Sequence, residues 1–206
     1  EYLDTSSFEN AQGVIDQAAL RAAQGKNLIG QAVKHWDPSG LATVERIDLS
    51  GKPAHITRRL IKPDADGTTG LLGWPASNRE NLLDAETFHQ ITEYDALGRM
   101  TKHFNWHRLN VPRMAIYQPR YNRRGLLESE ALLVRASNYS ADTTNAARAI
   151  TSITYNAKGQ KEQLTLGNGT LTQYDYDPLT FRLRQLRTSR PANVDDFPQL
   201  RSNLTN

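Results

Sequence analysis

The chain has 206 residues, of which 38% are hydrophobic and 23% are charged, and its formal net charge is +3. It contains no cysteine, so disulfides, thiol catalysis and cysteine-based zinc sites are excluded. The hydrophobic fraction is below the approximately 45–50% of a compact domain and favours a thin wall with one solvent-exposed face on each strand. The positive surplus is small and interspersed, so no nucleic-acid interface is predicted. No stretch reaches the roughly 18 apolar residues of a membrane-spanning helix, and no membrane insertion is predicted.

In chain order, the first predicted element is a helix between residues 9 and 26, with small and apolar residues at helical spacing and Gly25 at its end. We interpret residues 1–26 as a helical lead-in to a first strand at 28–33. Two strands then alternate around Ser50-Gly51 between residues 43 and 60. The following stretch, 62–86, is rich in Pro, Asp, Gly and Asn and is too long for a hairpin turn.

Hairpin patterns return at 88–104 and 114–134, but the clearest pattern lies between Ile153 and Leu186. There apolar and aromatic residues alternate with a period of two, which predicts four short strands. The turns between them are predicted at 156–159, at 167–169 with the Asn-Gly pair of a two-residue hairpin, and at 177–180. The fold class is therefore all-β, a meander of hairpins with one short N-terminal helix.

A short motif recurs along this meander: an aromatic residue, Asp or Asn, two further residues and usually Gly. Its copies are Tyr94-Asp95 with Gly98, Tyr121-Asn122 with Gly125, Tyr155-Asn156 with Gly159, Tyr176-Asp177 without Gly, Trp36-Asp37 with Gly40, and Ile47-Asp48 with Gly51. We predict a structural role for these residues. The Asp or Asn side chain should bond backbone amides of its own turn, and the tyrosine ring should stack on equivalent rings of neighbouring hairpins.

These repeated residues resemble the YD-repeat family, which is named for its Tyr-Asp dipeptide. The family includes bacterial Rhs proteins, the B and C subunits of Tc-type insecticidal toxin complexes, and animal teneurins. Four segments between residues 27 and 190 carry the resemblance. Within the family, they are more similar to the Tc toxin B subunit and to Salmonella-virulence-B-like proteins than to the other members. The resemblance implies a strip of a large hollow shell that encloses and protects a cytotoxic C-terminal polypeptide before its translocation.

The resemblance also implies the partners of such a shell. They are the remaining repeats of the same shell, a C-subunit-like half with its toxin cargo, and a pore-forming A subunit bound through a β-propeller. We therefore expect residues 27–190 to be a shell segment and 191–206 to connect it to further repeats, in a fragment of a longer, secreted protein. The segment itself is expected to be non-catalytic and to need no cofactor.

Three local patterns of the sequence resemble sites of chemistry. His103 and His107 have the i, i+4 spacing of a zinc pair but lack the Glu of His-Glu-x-x-His, so they are interpreted as wall or surface histidines. The stretch 64–67 resembles half of a calcium loop, but Thr68 and Pro75 stand where further oxygen ligands are needed, so a turn is favoured. No metal site is predicted.

The third pattern, residues 37–41, resembles the Asp-Pro-x-Gly-Leu signature near the self-cleavage site of Rhs shells. Hairpins follow it instead of a variable toxin, so Asp37 is interpreted as a turn former. A self-cleaving Rhs core fragment, in which Asp37 would be needed for processing, stays one alternative. Another is an adhesion or carbohydrate-binding module of the Rhs or teneurin kind, which would use an exposed aromatic cluster of Trp74, Trp106 and Tyr117.

A basic strip is predicted at Arg182 and Arg184, extended by Arg187 and Arg190. The alternation places Phe181 and Leu183 on the opposite face. The strip is interpreted as a solvated strand face or, in a shell, as a surface that faces the cargo.

Overall fold

A computed structural model describes residues 1–63, 73–109, 113–139 and 146–191. The half calcium loop at 64–67 and the proposed connection beyond residue 191 lie outside the described residues. No helix in the described part of the chain is long and apolar enough to cross a membrane.

The N-terminal helix is shorter than the sequence predicts. Helix α1 spans Gln17–Gln24, and the Asp16 carboxylate caps it by accepting hydrogen bonds from the amides of Ala18 and Ala19, each at 3.0 Å. The preceding residues do not join the helix because they fold into a tight turn, closed by a β-bridge between Glu9 and Ile15. A 3₁₀ turn at Thr5–Phe8 precedes that turn.

Two short strands flank this helical segment. Strand β1 (Tyr2–Leu3) pairs antiparallel with strand β2 (Gln31–Ala32). The strand predicted at 28–33 is therefore reduced to two residues, because the amide of Leu28 still bonds the carbonyl of Ala23 at the end of the helix.

The rest of the described chain is a series of antiparallel hairpins with one further 3₁₀ turn, Arg79–Leu82. The strands are β3 (Lys34–Asp37), β4 (Gly40–Ile47), β5 (Pro53–Leu60), β6 (Phe88–Tyr94), β7 (Met100–His107), β8 (Met114–Tyr121), β9 (Leu127–Ala136), β10 (Ala147–Tyr155), β11 (Lys161–Leu166), β12 (Leu171–Tyr176) and β13 (Leu183–Ser189). In each register that the structure gives for β3 to β13, a strand pairs antiparallel with its neighbour in sequence. The predicted all-β meander is confirmed, including its four strands between 153 and 186.

The chain divides into two compact units. The first unit comprises Glu1–Tyr117 and Leu133–Ala141, and the second comprises Gln118–Leu132 and Asp142–Asn206. Strands β8 and β9 contribute residues to both units. In the first unit, the side chains of Phe104, Met114, Ile116 and Ala136 form a buried cluster, against which Ile91 and Leu133 pack.

The second unit buries far less. Ile153 on β10 is 4% exposed, whereas every residue of β13 is exposed. Among its described residues, the second unit therefore has no closed apolar cluster comparable to the one around Phe104.

Candidate functional site

Four of the motif turns have one geometry. In each, the backbone amide of the Asp or Asn bonds the carbonyl four residues later at 2.9 Å, and the Gly amide bonds the Asp or Asn carbonyl. The four glycines adopt positive φ angles of 70° to 84°, a region that residues with a side chain rarely adopt. The turns start at Asp48, Asp95, Asn122 and Asn156.

The Asp or Asn side chain closes each of these turns from inside. Oδ1 of Asn156 accepts hydrogen bonds from the amides of Lys158 and Gln160, each at 3.0 Å. The same atom of Asp48, Asp95 and Asn122 accepts from the amides two and four residues later. Either residue type serves because only a side-chain oxygen acceptor is required.

Two turns depart from the sequence prediction. The loop at 167–169 is not a two-residue hairpin, because Gly169 has a φ of 81° while Asn168 has no positive φ and the Gly169 amide bonds the Leu166 carbonyl. It is instead a three-residue loop with the left-handed residue last. In the turn after Tyr176, Oδ1 of Asp177 bonds the amides of Leu179 and Thr180, and Phe181 takes the left-handed position at φ 58°.

The tyrosines of the motif make a contact that the sequence did not suggest. The hydroxyl of Tyr155 donates to the carbonyl of Leu127 at 2.7 Å, and that of Tyr94 donates to the carbonyl of Pro53 at 3.2 Å. Each acceptor is the first residue of the preceding strand, β9 or β5. Each tyrosine therefore spans one hairpin and fixes where the neighbouring strand begins.

The predicted stacking of equivalent tyrosine rings is wrong for the residues where it can be followed. Within the described residues, the rings of Tyr94, Tyr155 and Tyr176 pair with no other tyrosine ring. The motif ends every second strand, so equivalent rings in one sheet are about 9.6 Å apart, twice the strand spacing of about 4.8 Å. That separation exceeds the distance of about 4.5–7 Å at which aromatic rings interact.

Successive turns are linked by side-chain donors. In the first unit, the ammonium of Lys52 donates to the carbonyl of Gly98 in the next motif turn. In the second unit, the guanidinium of Arg124 donates to the carbonyls of Asn156 and Ala157 at 2.8 and 2.9 Å, and the side-chain amide of Gln160 donates to the carbonyl of Phe181 at 2.8 Å. Within each unit these turns lie at the same end of their strands, because they follow β4 and β6 or β8, β10 and β12. We call this end the linked turn edge.

The turn at Trp36-Asp37 lies at the opposite end of its strands, because it connects β3 to β4. Its carboxylate accepts hydrogen bonds from the Ser39 amide at 2.8 Å and from the Arg58 guanidinium at 2.6 Å. Gly40 is required there, since its φ is 145° and an added Cβ would lie 2.1 Å from the carbonyl oxygen of Arg59. This segment is therefore a different hairpin turn, and not a copy of the turn that follows the even-numbered strands.

The electrostatics of Asp37 match a fixed structural role. The Arg58 guanidinium, with smaller contributions from Ser39, holds the pKa of the Asp37 carboxyl well below its usual range. The aromatic neighbour Trp74 donates its indole N–H to the Asp37 carbonyl at 3.0 Å and packs edge-on against Trp36. These contacts describe an anchored corner of the first unit.

A groove of about 950 Å³ lies on one face of the first unit. Its lining includes His55 and His89, whose Nε2 and Nδ1 atoms are 3.0 Å apart. Burial, followed by the charge of His89, lowers the pKa of His55. No group of three His, Asp or Glu side chains within the described residues is arranged to hold a metal ion.

His103 and His107, interpreted from the sequence as wall or surface histidines, do not lie together in the structure. Nδ1 of His103 is 2.9 Å from the Thr92 hydroxyl, whereas His107 is buried and its Nε2 lies 2.6 Å from the Tyr139 hydroxyl. A register shift between β6 and β7 falls between these two histidines and turns them to opposite faces.

Comparisons with known proteins identify relatives of this chain, although no family model matches it. The toxin subunits YenC2 and YenC1 of Yersinia entomophaga are each 30% identical to it, over 80% and 82% of this chain. The chain spans 16% of the length of each of these curated relatives.

Solved structures give the same result for the fold. The crystal structure of TcdB2-TccC3 matches 84% of this chain and 8% of its own, with a TM-score of 0.67 and 26% identity. The structure of the Photorhabdus luminescens Tc holotoxin pore matches 82% of this chain and 7% of its own, with a TM-score of 0.66 and 27% identity. The chain belongs to the YD-repeat family of Tc toxin subunits.

One part of the sequence-based expectation is corrected by these Tc toxin relatives. The expected subunit was of the B type, whereas both curated relatives are C subunits, so this Tc toxin segment is of the C type. The repeated motif describes how a hairpin turn is closed. Every subunit built from such hairpins can share this turn chemistry, so the motif does not identify the type of subunit.

The remaining candidate residues of this Tc toxin segment are not brought together. Arg182 lies in the turn before β13, and Arg184 lies at a register shift between β12 and β13, so no regular alternation connects the two exposed side chains. Trp74 packs on Trp36, and neither Trp74 nor Trp106 forms a ring pair with Tyr117 among the described residues. The basic strip therefore stays a prediction, as does the role of the motif residues in the family.

Proposed function

We propose that this chain is a non-catalytic wall segment of a C-type Tc toxin subunit, in a shell that encloses and protects a cytotoxic polypeptide. The observation that carries the proposal is the linked turn edge, where a donor from one motif turn binds a carbonyl of the next. Such contacts can be repeated for as many hairpins as a wall contains. They fix one hairpin against its neighbour.

The relatives support the same function. YenC1 and YenC2 are toxin subunits, and one of the matching structures is a Tc holotoxin pore. The shell would act outside the producing cell with a B-type partner and a pore-forming A subunit. Further repeats of the same shell would pair with this segment, and the exposed Arg182 and Arg184 would face solvent or cargo.

Protease protection tests the proposal. The full-length protein that contains this segment would be produced with its B-type partner and digested with trypsin, and the surviving fragments would be identified by mass spectrometry. We expect the cytotoxic polypeptide to resist cleavage in the native complex and to be degraded once the complex is unfolded in urea. Equal cleavage in the native and unfolded complexes would contradict encapsulation.

Electron microscopy supplies an independent result from the same sample. Encapsulation requires a hollow particle with this segment in its wall, and a solid particle without a cavity would contradict it. A matched pair of variants tests the role of the linked turn edge. Arg124→Ala removes both donated bonds and should increase cleavage of the enclosed polypeptide, whereas Arg123→Ala changes the neighbouring exposed arginine and should leave protection unchanged.

A further inference from the structure

Three histidines from consecutive strands form a row on one face of the first unit. His55 on β5, His89 on β6 and His107 on β7 have ring centroids 5.3 and 6.2 Å apart, and the ring of Tyr139 continues the row 5.3 Å beyond His107. His55 and His89 lie in direct contact, with Nε2 and Nδ1 3.0 Å apart. The row therefore joins three strands through imidazole rings, a side chain whose ordinary pKa lies near neutral pH.

The contacts limit how many protons the row can hold. A hydrogen bond between two imidazole nitrogens needs one donor and one acceptor, so the His55 and His89 contact is compatible with a neutral or singly protonated pair. A second proton places two N–H groups and two positive charges against each other. In His107, Nδ1 lies 2.6 Å from the Asn105 carbonyl and must donate, so Nε2 accepts from the Tyr139 hydroxyl while the ring is neutral.

Burial outweighs the charged neighbours of the row. Glu45 on β4 favours added protons on His55 and His89, whereas burial, the largest effect on both rings, and Arg46 at His55 oppose them. The Glu45 carboxylate also accepts a hydrogen bond from the Thr57 hydroxyl at 3.0 Å. The other charged groups around the groove are paired with each other: Lys34 and Arg59 contact Glu80, and Arg108 contacts Glu86 at 2.6 Å. Among the described residues, Glu45 is thus the carboxylate of this groove without an ion pair.

We propose that the row of His55, His89 and His107 is an acid-sensitive contact that holds β5, β6 and β7 together at neutral pH and loosens them in mild acid. Burial, followed by the charge of His107, lowers the pKa of His89, and burial with the charge of His89 does the same for His55. The unfolded strands therefore take up protons first, near the ordinary value of 6.5. Stability from the row is complete above that pH and is lost as the pH falls below it.

Hydrogen exchange of the 206-residue chain tests the proposal. The opening equilibrium of the β5 and β6 amides would be measured at pH 7.5 and at pH 5.0, after correction for intrinsic exchange rates. Because the opened strands bind protons that the closed row excludes, we expect opening to increase by more than about twofold at pH 5.0. An increase below about twofold in the unmodified chain would overturn the proposal.

Variants separate the row from other acid effects. His55→Gln and His89→Gln keep a donor and an acceptor but do not titrate in this range, so each should reduce the increase to below about twofold. His35→Gln on β3 is the matched control, because His35 is exposed and lies outside the row, and it should behave as the unmodified chain. If His35→Gln removed the pH response as fully as His55→Gln, the row would not be its source.

An NMR titration of the imidazole rings gives a result that does not depend on any variant folding correctly. His55 and His89 should titrate below the ordinary value of 6.5, and the two should titrate as a coupled pair in separate steps. A single midpoint for both rings at or above that value would overturn the proposal.

Discussion

The first and second units use the same hairpin turn but differ in how much of each hairpin is buried. In the first unit, β7 and β8 place Phe104 and Ile116 in a cluster with exposures of 1% and 0%. In the second unit, β13 has no buried residue, and the contacts that recur are turn closures and links between turns, beside the hydroxyl bond of Tyr155. The repeated motif thus specifies the turn and the strand that precedes it. Residues outside the motif decide whether a closed core forms.

The largest expected effect comes from the core of the first unit. Phe104→Ala should lower the free energy of unfolding by about 4 kcal/mol, because the ring is fully buried and its removal leaves a cavity beside Met114 and Ile116. Urea unfolding followed by tryptophan fluorescence measures this change, since Trp36, Trp74 and Trp106 all lie in the first unit.

The matched variant in the second unit is Phe181→Ala. Phe181 is 40% exposed and mainly supports the Lys158 ammonium over its ring, so its removal should cost less than about 1 kcal/mol. Circular dichroism would record both variants by the same signal. Equal losses for Phe104→Ala and Phe181→Ala would show that the two units do not differ in core packing.

The second effect concerns the turn closure on which the second unit depends. Asn156→Ala removes the Oδ1 acceptor of two backbone amides and should destabilise the hairpin of β10 and β11 by about 1–2 kcal/mol. Hydrogen exchange of the Lys158 and Gln160 amides measures the local opening. Asn156→Asp keeps the acceptor, as Asp48 and Asp95 do in the first unit, and should retain most of the protection.

Whether the sequence predicts a contact depends on how many residues separate its two partners along the chain. The acceptor of a motif turn lies two and four residues from its donors, so the closure at Asn156 is visible in the sequence as a short motif with Asn or Asp at a fixed place. The tyrosine hydroxyl bond escapes such a motif, because Leu127 is 28 residues from Tyr155 and offers only a backbone carbonyl. A partner without a distinctive side chain leaves no signal in a single sequence.

The histidines show the same limit from the other direction. The sequence draws attention to His103 and His107 because they are four residues apart, yet a register shift sends them to opposite faces. His55 and His89 are 34 residues apart and meet only because β5 pairs with β6 in one particular register. Strand alternation predicts which residues share a face, and a bulge is what breaks that rule.

A smaller effect tests whether the tyrosine bond is equally important in the two units. Tyr155→Phe should cost about 1 kcal/mol, because it leaves the Leu127 carbonyl without its 2.7 Å partner in a partly buried position. Tyr94→Phe should cost about 0.5 kcal/mol, because its bond to Pro53 is longer, at 3.2 Å, and exposed. Urea unfolding of both variants gives the ratio, and a larger loss for Tyr94→Phe would reverse the ranking of the two units.

A small effect at neutral pH is expected at the anchored corner of the first unit. Asp37→Asn should cost less than about 1 kcal/mol near pH 7, because the pair with Arg58 is partly exposed, with side-chain exposures of 27% and 19%. What distinguishes this variant is how its stability changes with pH. The Arg58 contact lowers the pKa of Asp37 from an ordinary value of 3.8, so the unfolded chain takes up this proton first as the pH falls. The stabilisation is present above that value and is lost below it.

Urea midpoints measured by tryptophan fluorescence between pH 6 and pH 2 would therefore fall less steeply in Asp37→Asn than in the unmodified chain. The difference should be confined to pH values below about 4, which separates it from the histidine row, whose protons are taken up below about pH 6.5. Glu93→Gln is the control, because Glu93 is exposed on β6 and forms no ion pair among the described residues. If Glu93→Gln reduced the acid-dependent fall of the urea midpoint as much as Asp37→Asn, that fall would reflect total charge. The corner at Asp37 would then not be a specific anchor of the first unit.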